Sequence, residues 1–276
     1  MGKTAVLLFL LSTSICSSFC QDSTAVPQEE EKRIKQVGRD VRDVGSTIAF
    51  AYARPFHWKK KEWLQFAAVG AATTAALFAD ESVRDFFARN ESQFSREVAK
   101  VGDFLGQPEY NFPFYMTMWG SGILLRNDWM RQTGAMVFAS YAISGIIQTI
   151  SKEATGRGRP SAEEGNLSFK PFEGGKYHSF PSGHAMLSIS TAWVLARQTE
   201  PLPLKILFFS MPAVVSWSRL HDNAHWFSDI ILGNALGIAC AETVLRYYPK
   251  IQANDGSHKN LVILPTGTGV FMAYNF

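Results

Sequence analysis

The chain has 276 residues, enough for one large domain with a substantial core. Its 27 Lys and Arg stand against 24 Asp and Glu, and the net charge of +3 is too small to point to nucleic acid. Three cysteines, Cys16, Cys20 and Cys240, give no internal disulfide framework, because the first two fall in a leader-like segment. Cys240 sits in an apolar run and reads as a small buried residue.

Residues 1–20 read as a signal peptide. Lys3 supplies the basic start, Ala5 to Leu11 the apolar heart, and Ser12 to Cys20 a small-residue region. Cleavage after Cys20 puts Ser18 at the minus-three position, and Phe19 before Cys20 argues against a lipoprotein signal. The alternative is an uncleaved anchor, although its apolar run is short for a span. Residues 21–60 follow as an N-terminal helix and linker. Gln28 to Lys35 is charged, and Ile34, Val37, Val41, Val44 and Ile48 then recur at spacings of three and four. That predicts an amphipathic helix with a narrow apolar stripe, which packs on the domain or, as the alternative, lies on a membrane surface. Arg54 to Lys61 is basic and aromatic, as found beside a membrane interface.

Residues 61–250 read as an all-α bundle of about six core helices. Helices are expected near Trp63–Phe78, Phe112–Leu125, Gly134–Ile150, Ala185–Arg197, Leu204–Trp217 and Ile230–Arg246. A further amphipathic helix is expected over Glu81–Leu105, and Pro212 should kink the run that holds it. No internal repeat and no nucleotide-binding Gly-rich loop is present. Residues 251–276 form a tail with two short strands, Leu261 to Leu264 and Val270 to Phe276, around a Gly-rich turn. A β-hairpin packed on the helical domain is expected; one hairpin cannot close an outer-membrane barrel.

The membrane signals conflict. The apolar runs are about 14–17 residues, or roughly 21–26 Å of helix, against a hydrocarbon core of ~30 Å. Mean hydropathy is −0.03. Against this, Gly134–Ile150 has no charge, and one side would collect Arg54, Lys59, Lys60, Lys61, Arg126, Arg131, Arg197, Lys205, Arg246 and Lys250. A membrane-associated domain with its polar motifs on the extracytoplasmic side is the favoured reading. Six crossings after a signal peptide would instead put those motifs inside. Either one run does not cross, or the domain does not span, or the N-terminal segment is of another kind.

Three short stretches carry chemistry. His225 and Asp229 are four apart, so on a helix they share a face. A carboxylate there can accept one imidazole N–H and leave the other nitrogen free to attack. Arg219 upstream offers a planar fork of donors suited to phosphate. The second stretch, Pro181-Ser182-Gly183-His184, opens an apolar helix, where free N–H groups and the positive dipole end can face an anion. The third is Lys152-Glu153-Ala154-Thr155-Gly156-Arg157-Gly158-Arg159-Pro160, just past the Gly134–Ile150 helix.

Together these stretches resemble the three-part signature of the type 2 phosphatidic acid phosphatase and vanadium haloperoxidase superfamily. That signature runs Lys, six residues, Arg-Pro; then Pro-Ser-Gly-His; then Ser-Arg, five residues, His, three residues, Asp. Every position is present here, from Lys152 to Asp229. The resemblance implies a helical bundle and a phosphatase in which His225 is the nucleophile and forms a phosphohistidine. It implies that Asp229 orients His225 and that His184 is the general acid and then the base on water. Lys152, Arg159 and Arg219, with Ser182 and the backbone N–H of Gly183, would hold the phosphoryl oxygens. Preorganised charge of this kind is the largest stabilising effect expected in phosphoryl transfer. No cofactor and no metal is expected, since the three basic side chains stand in for a divalent cation and no cluster has metal-ligand spacing.

The expected substrate is a phosphorylated lipid: phosphatidic acid, phosphatidylglycerophosphate, a prenyl diphosphate or phosphorylated lipid A. The alternative is a soluble periplasmic acid phosphatase acting on small phosphate esters, and a vanadium-dependent haloperoxidase is a third reading. No nucleic-acid partner is expected; the membrane is. The remaining polar residues have plainer readings. Arg157, between two glycines, reads as a solvated loop residue, and Asp222 and Asn223 as a cap or turn. His178 and His221 flank motifs. Glu163, Glu164, Gly174 and Gly175 belong to a loop suited to substrate selection.

Overall fold

The computed structural model describes residues 28–253 and the strands at 261–266 and 269–274. The signal-peptide reading of residues 1–20 lies outside the described residues. The helices are α1 (Gln28–Ala53), α2 (Lys60–Leu77), α3 (Asp80–Arg89), α4 (Gln93–Gly106) and α5 (Pro108–Leu124). They continue with α6 (Asp128–Thr155), α7 (Gly183–Arg197), α8 (Leu202–His221) and α9 (Phe227–Ala253). The six core helices expected between residues 61 and 250 all form, most of them longer than their apolar runs.

The single helix expected over Glu81–Leu105 breaks into α3 and α4. Ser92 is the cause: its hydroxyl accepts from the Ser95 N–H at 3.1 Å, and the Ser95 hydroxyl accepts from the Ser92 N–H at 2.8 Å. This reciprocal cap satisfies two orphan donors and starts a new helix. Pro212 lies inside α8, which continues to His221 and so carries Arg219 on its last turn.

The core lies where α6, α7 and α9 meet. Met136, Val137, Ala139 and Ile143 pack with Met186 and Val194 and with Cys240, Ala241 and Val244. Close approach depends on glycine at α9. A side-chain carbon at Gly237 would stand 2.4 Å from the Met186 carbonyl oxygen, and one at Gly233 would stand 2.7 Å from that of Ser182. Cys240 is a buried free thiol, as the sequence predicts.

Helix α1 docks its stripe through Val44 and Ile48, while Ile34 and Val41 stay exposed. The same helix buries Asp40, which pairs with Arg131 and accepts from the Trp119 indole N–H at 3.1 Å. Arg131 is therefore committed inside the fold and does not join the free basic end, a correction to the charge count. The tail forms the predicted antiparallel hairpin, Leu261 opposite Tyr274 and Thr266 opposite Gly269, and its first strand lies against α1.

Helices α6 and α9 are long and apolar enough to cross a bilayer. At 1.5 Å per residue, α6 is about 42 Å long and α9 about 40 Å. Apolar side chains are also exposed on α2 (Trp63, Leu64, Phe66), α5 (Phe112, Phe114) and α8 (Leu204, Ile206). Large apolar side chains exposed on three helices are suited to a lipid or protein contact.

Candidate active site

The three motifs converge at one end of the bundle. Lys152 is on the last turn of α6, His184 on the first turn of α7, Arg219 on the last turn of α8, and Asp229 on the first turn of α9. Alternating helix direction brings these four ends together. Gly156 ends α6 in the left-handed region at φ 55°, and a side-chain carbon there would stand 1.9 Å from the Lys170 carbonyl oxygen. Only glycine fits, and the chain turns at once into the Arg157–Pro160 segment. The Ser182 N–H donates to the Asp229 carbonyl at 3.1 Å, which ties the second motif to the third.

His225 is buried, in the turn just before α9 rather than on its face. Its Nδ1 lies 2.8 Å from the Ser179 carbonyl oxygen and 3.6 Å from Asp229 Oδ2. A carbonyl can only accept, so in the neutral ring Nδ1 carries the proton and Nε2 holds the free lone pair. The direct His225–Asp229 pair expected from helical spacing is thus long. Asp229 grips the turn by other bonds: Oδ2 accepts from the Ser179 hydroxyl at 2.5 Å and from the Trp226 N–H at 2.8 Å. Burial lowers the His225 pKa below the usual imidazole value, and the Asp229 carboxylate partly offsets this.

At the same end of the bundle stand groups with unused bonding capacity. The Ser182 hydroxyl, the Arg159 Nε and the His184 Nε2 are buried without a protein partner. Buried polar groups are normally paired, so three unpaired ones in one place outline a site for a polar ligand. Arg159 has its pKa lowered by burial and by nearby Arg219. His184 is pushed down to about 3, by burial first and then by Arg219, His225 and Lys152, with Asp103 opposing. Such a crowd of cations favours an anion in its midst.

Lys152 and Gln148 reach the start of α7. A carbon added at Gly183 would stand 3.2 Å from the Lys152 Nζ and 2.3 Å from the Gln148 Oε1, itself a buried acceptor without a partner. Arg219 donates to Asp103 at 2.6 Å and to Asp222 at 3.0 Å. Beyond Arg219 opens a polar cavity of about 750 Å³ lined by Asp103, Gln107, Tyr110, His221 and Asn223. Among the described residues no three His, Cys, Asp or Glu side chains are grouped to hold a metal ion.

Every residue expected from the motifs therefore sits at this end of the bundle. One plain reading fails: Arg157 is not solvated but completely buried. Its guanidinium bonds Asp229 Oδ1 at 2.5 Å, the Ser228 hydroxyl at 2.8 Å and Asp80 Oδ2 at 2.7 Å. Its place two residues before Arg159 was the only signal available in the sequence. Ser179, Gln148, Asp103 and Asp80 were missed, since no local pattern marks them. His221 bonds the Ser95 hydroxyl and stacks on Trp217, and His178 pairs with Glu153; neither is among the motif residues.

Residues 133–253 match the PAP2 superfamily. The lipid A 1-phosphatase of Rhizobium etli is 33% identical over 108 residues, which cover 38% of this chain and 45% of that protein. The undecaprenyl-diphosphatase of Sulfolobus acidocaldarius is 32% identical over 110 residues, covering 39% of this chain and 51% of that one. The chain thus spans about half the length of the curated relatives it matches. A transmembrane PAP2 type phosphatidylglycerolphosphate phosphatase from Bacillus subtilis has a similar fold, with a TM-score of 0.54 and 23% identity over 68% of this chain and 94% of that one. The segment that matches the PAP2 superfamily, residues 133–253, holds all three motifs and the four helix ends that carry them.

Proposed function

We propose that the chain is a phosphoric monoester hydrolase that removes phosphate from a lipid phosphate or diphosphate without a metal ion. The observation that carries this reading is the cluster at one end of the bundle of His225, whose Nε2 is left free, with the buried and partnerless Ser182, Arg159 and His184 and the cations Lys152 and Arg219. In the first step His225 Nε2 bonds to phosphorus and the leaving oxygen departs with a proton from His184. In the second, His184 takes a proton from water, whose oxygen displaces the imidazole and releases phosphate. Splitting the displacement in two lets one pocket run both halves. Lys152, Arg159 and Arg219, with the Ser182 hydroxyl and the Gly183 N–H, neutralise the transferring group.

His184 must be protonated at the first step, which its low pKa in the empty pocket opposes. A bound phosphate dianion among these cations reverses the balance, so substrate itself would charge the acid. The low value in the empty site follows from burial first and then from the neighbouring Arg219, His225 and Lys152.

The lipid substrate is supported by the relatives named lipid A 1-phosphatase and undecaprenyl-diphosphatase. The membrane seat is supported by the apolar α6 and α9 and by the exposed apolar faces of α2, α5 and α8. The catalytic end faces away from Lys59, Lys60 and Lys61 at the start of α2, Arg197 at the end of α7 and Lys205 in the first turn of α8. Positive charge collects on the cytoplasmic side. An extracytoplasmic site in the cell envelope follows, with residues 1–20 as signal segment, 21–60 as docking helix, 61–250 as phosphatase domain and 251–276 as tail.

The test is phosphate release by purified protein, in detergent with EDTA, from a lipid phosphate panel and from p-nitrophenyl phosphate. Preference for one lipid is the expected result. Equal or better turnover of the small ester without detergent, in protein released by osmotic shock, would instead establish the soluble acid phosphatase.

A further inference from the structure

Asp80 lies at the start of α3, outside the matched segment, and is buried with only 1% exposure. It accepts from the Ser228 N–H at 2.8 Å, from the Ser228 hydroxyl at 2.7 Å and from Arg157 at 2.7 Å. Arg157 in turn bonds Asp229, and Asp229 bonds the Ser179 hydroxyl and the Trp226 N–H. The backbone carbonyl of Arg157 also accepts from the Ser179 N–H at 3.1 Å. Arg157 therefore holds both neighbours of His225, Asp229 by its side chain and Ser179 by its main chain. Three rings enclose its guanidinium: Phe180 and Trp226 at 5.7 Å and Phe169 at 5.8 Å.

A buried cation this close to Asp229 raises a problem. One guanidinium against one carboxylate is neutral, and a neutralised Asp229 gives little support to a positive charge on His225. Asp80 resolves it. Two carboxylates against one guanidinium leave one net negative charge beside the imidazole, in surroundings of low dielectric. The fork of Arg157 also fixes which oxygen of Asp229 faces the Ser179–Trp226 turn.

We infer that Arg157 and Asp80 are positioning residues for His225: Arg157 clamps Asp229 and Ser179, and Asp80 restores the negative charge that Arg157 would cancel. This rests on His225 being the nucleophile. Neither residue touches the phosphate pocket, so both act on the reaction through Asp229.

The experiment uses full-length protein in detergent, with the best lipid phosphate of the panel above, and compares wild type with Asp80→Asn and Arg157→Lys. For each, kcat and KM are measured across pH 4–9, with the folded fraction from thermal unfolding. Both variants should lose roughly tenfold or more in kcat with KM within about threefold, since binding groups are untouched. In Asp80→Asn the rising acidic limb of kcat/KM should move to lower pH, because losing a negative charge disfavours protonated His225. A purely structural role would lower the folded fraction and leave the pH profile of the remaining activity in place. That result, or kcat within twofold of wild type in both variants, overturns the inference. Should both variants fail to fold, Ser228→Ala deletes the hydroxyl that bridges Asp80 and Arg157; the expected result is a severalfold loss of kcat at constant KM, and unchanged kcat overturns the inference. Wild type that hydrolyses none of the esters refutes the phosphatase reading itself; active wild type with unaffected variants refutes only this inference.

Discussion

At the scale of single residues, the site is a set of buried polar groups with bonds to spare. His225 presents Nε2 because its Nδ1 is held by the Ser179 carbonyl. His225→Ala should reduce phosphate release by at least about 10⁴-fold while the protein still folds, since a nucleophile cannot be replaced by positioning alone. Near-normal turnover in that variant would sink the whole assignment. His184 makes a second, pH-dependent prediction. Its folded pKa is depressed to about 3, against about 6.5 in the unfolded chain. As pH falls from about 6.5 towards 3, the unfolded state takes up a proton that the folded state refuses, so stability falls. Thermal unfolding of His184→Asn should show a shallower loss over that window than wild type. Adding inorganic phosphate, which favours the charged ring, should flatten the wild-type curve as well.

At the scale of elements, helix α4 sits directly behind the chemistry. A side-chain carbon at Gly106 would stand 2.8 Å from the His184 ring and 2.9 Å from Val215. Gly106→Ala should therefore move His184 and lower kcat by roughly tenfold, with a smaller effect on folding, because about 1 Å of misplacement is costly in catalysis. Equal kcat for Gly106→Ala and wild type would show that α4 does not set the position of His184. Helix α1 depends on a buried charge instead. Replacing Asp40 by Ala removes the buried partner of Arg131 and leaves it only the exposed Asp128, a loss that costs up to about 3–5 kcal/mol. The measurement is the unfolding midpoint in detergent, where Asp40→Ala should fall well below wild type. Pairing it with Arg131→Met should recover most of the loss, since two apolar groups need no partner.

For the whole molecule, the long axis of the bundle separates a polar catalytic end from a basic end. Reporter fusions at residue 56, before α2, and at residue 165, between α6 and α7, should report opposite sides of the membrane, the second extracytoplasmic. If the fusions report the same side, α2, α5 and α6 do not carry the chain across in the way the charge pattern requires. Six crossings and a cleaved signal segment cannot both hold with that arrangement. The fusion at residue 56 decides between them.

The sequence by itself determined the helical class, the resemblance to the PAP2 superfamily and the set of motif residues that the fold gathers at one end of the bundle, because motif spacing records local backbone. Hydrophobic periodicity marked the core helices, and the stripe on α1 docks only in part, through Val44 and Ile48, with Ile34 and Val41 exposed. It could not place the Ser92 break, where two short polar side chains close a cap inside an otherwise continuous amphipathic run. It also misjudged Arg157, whose neighbours are glycines and whose partners on α3 and α9 lie 71 to 77 residues away. Only the tertiary structure decided that His225 is held by a main-chain carbonyl and that Asp80 stands behind Asp229. The physical reason is range: a motif encodes contacts within a turn or two of chain, whereas the balance of buried charge is set by whichever elements fold together.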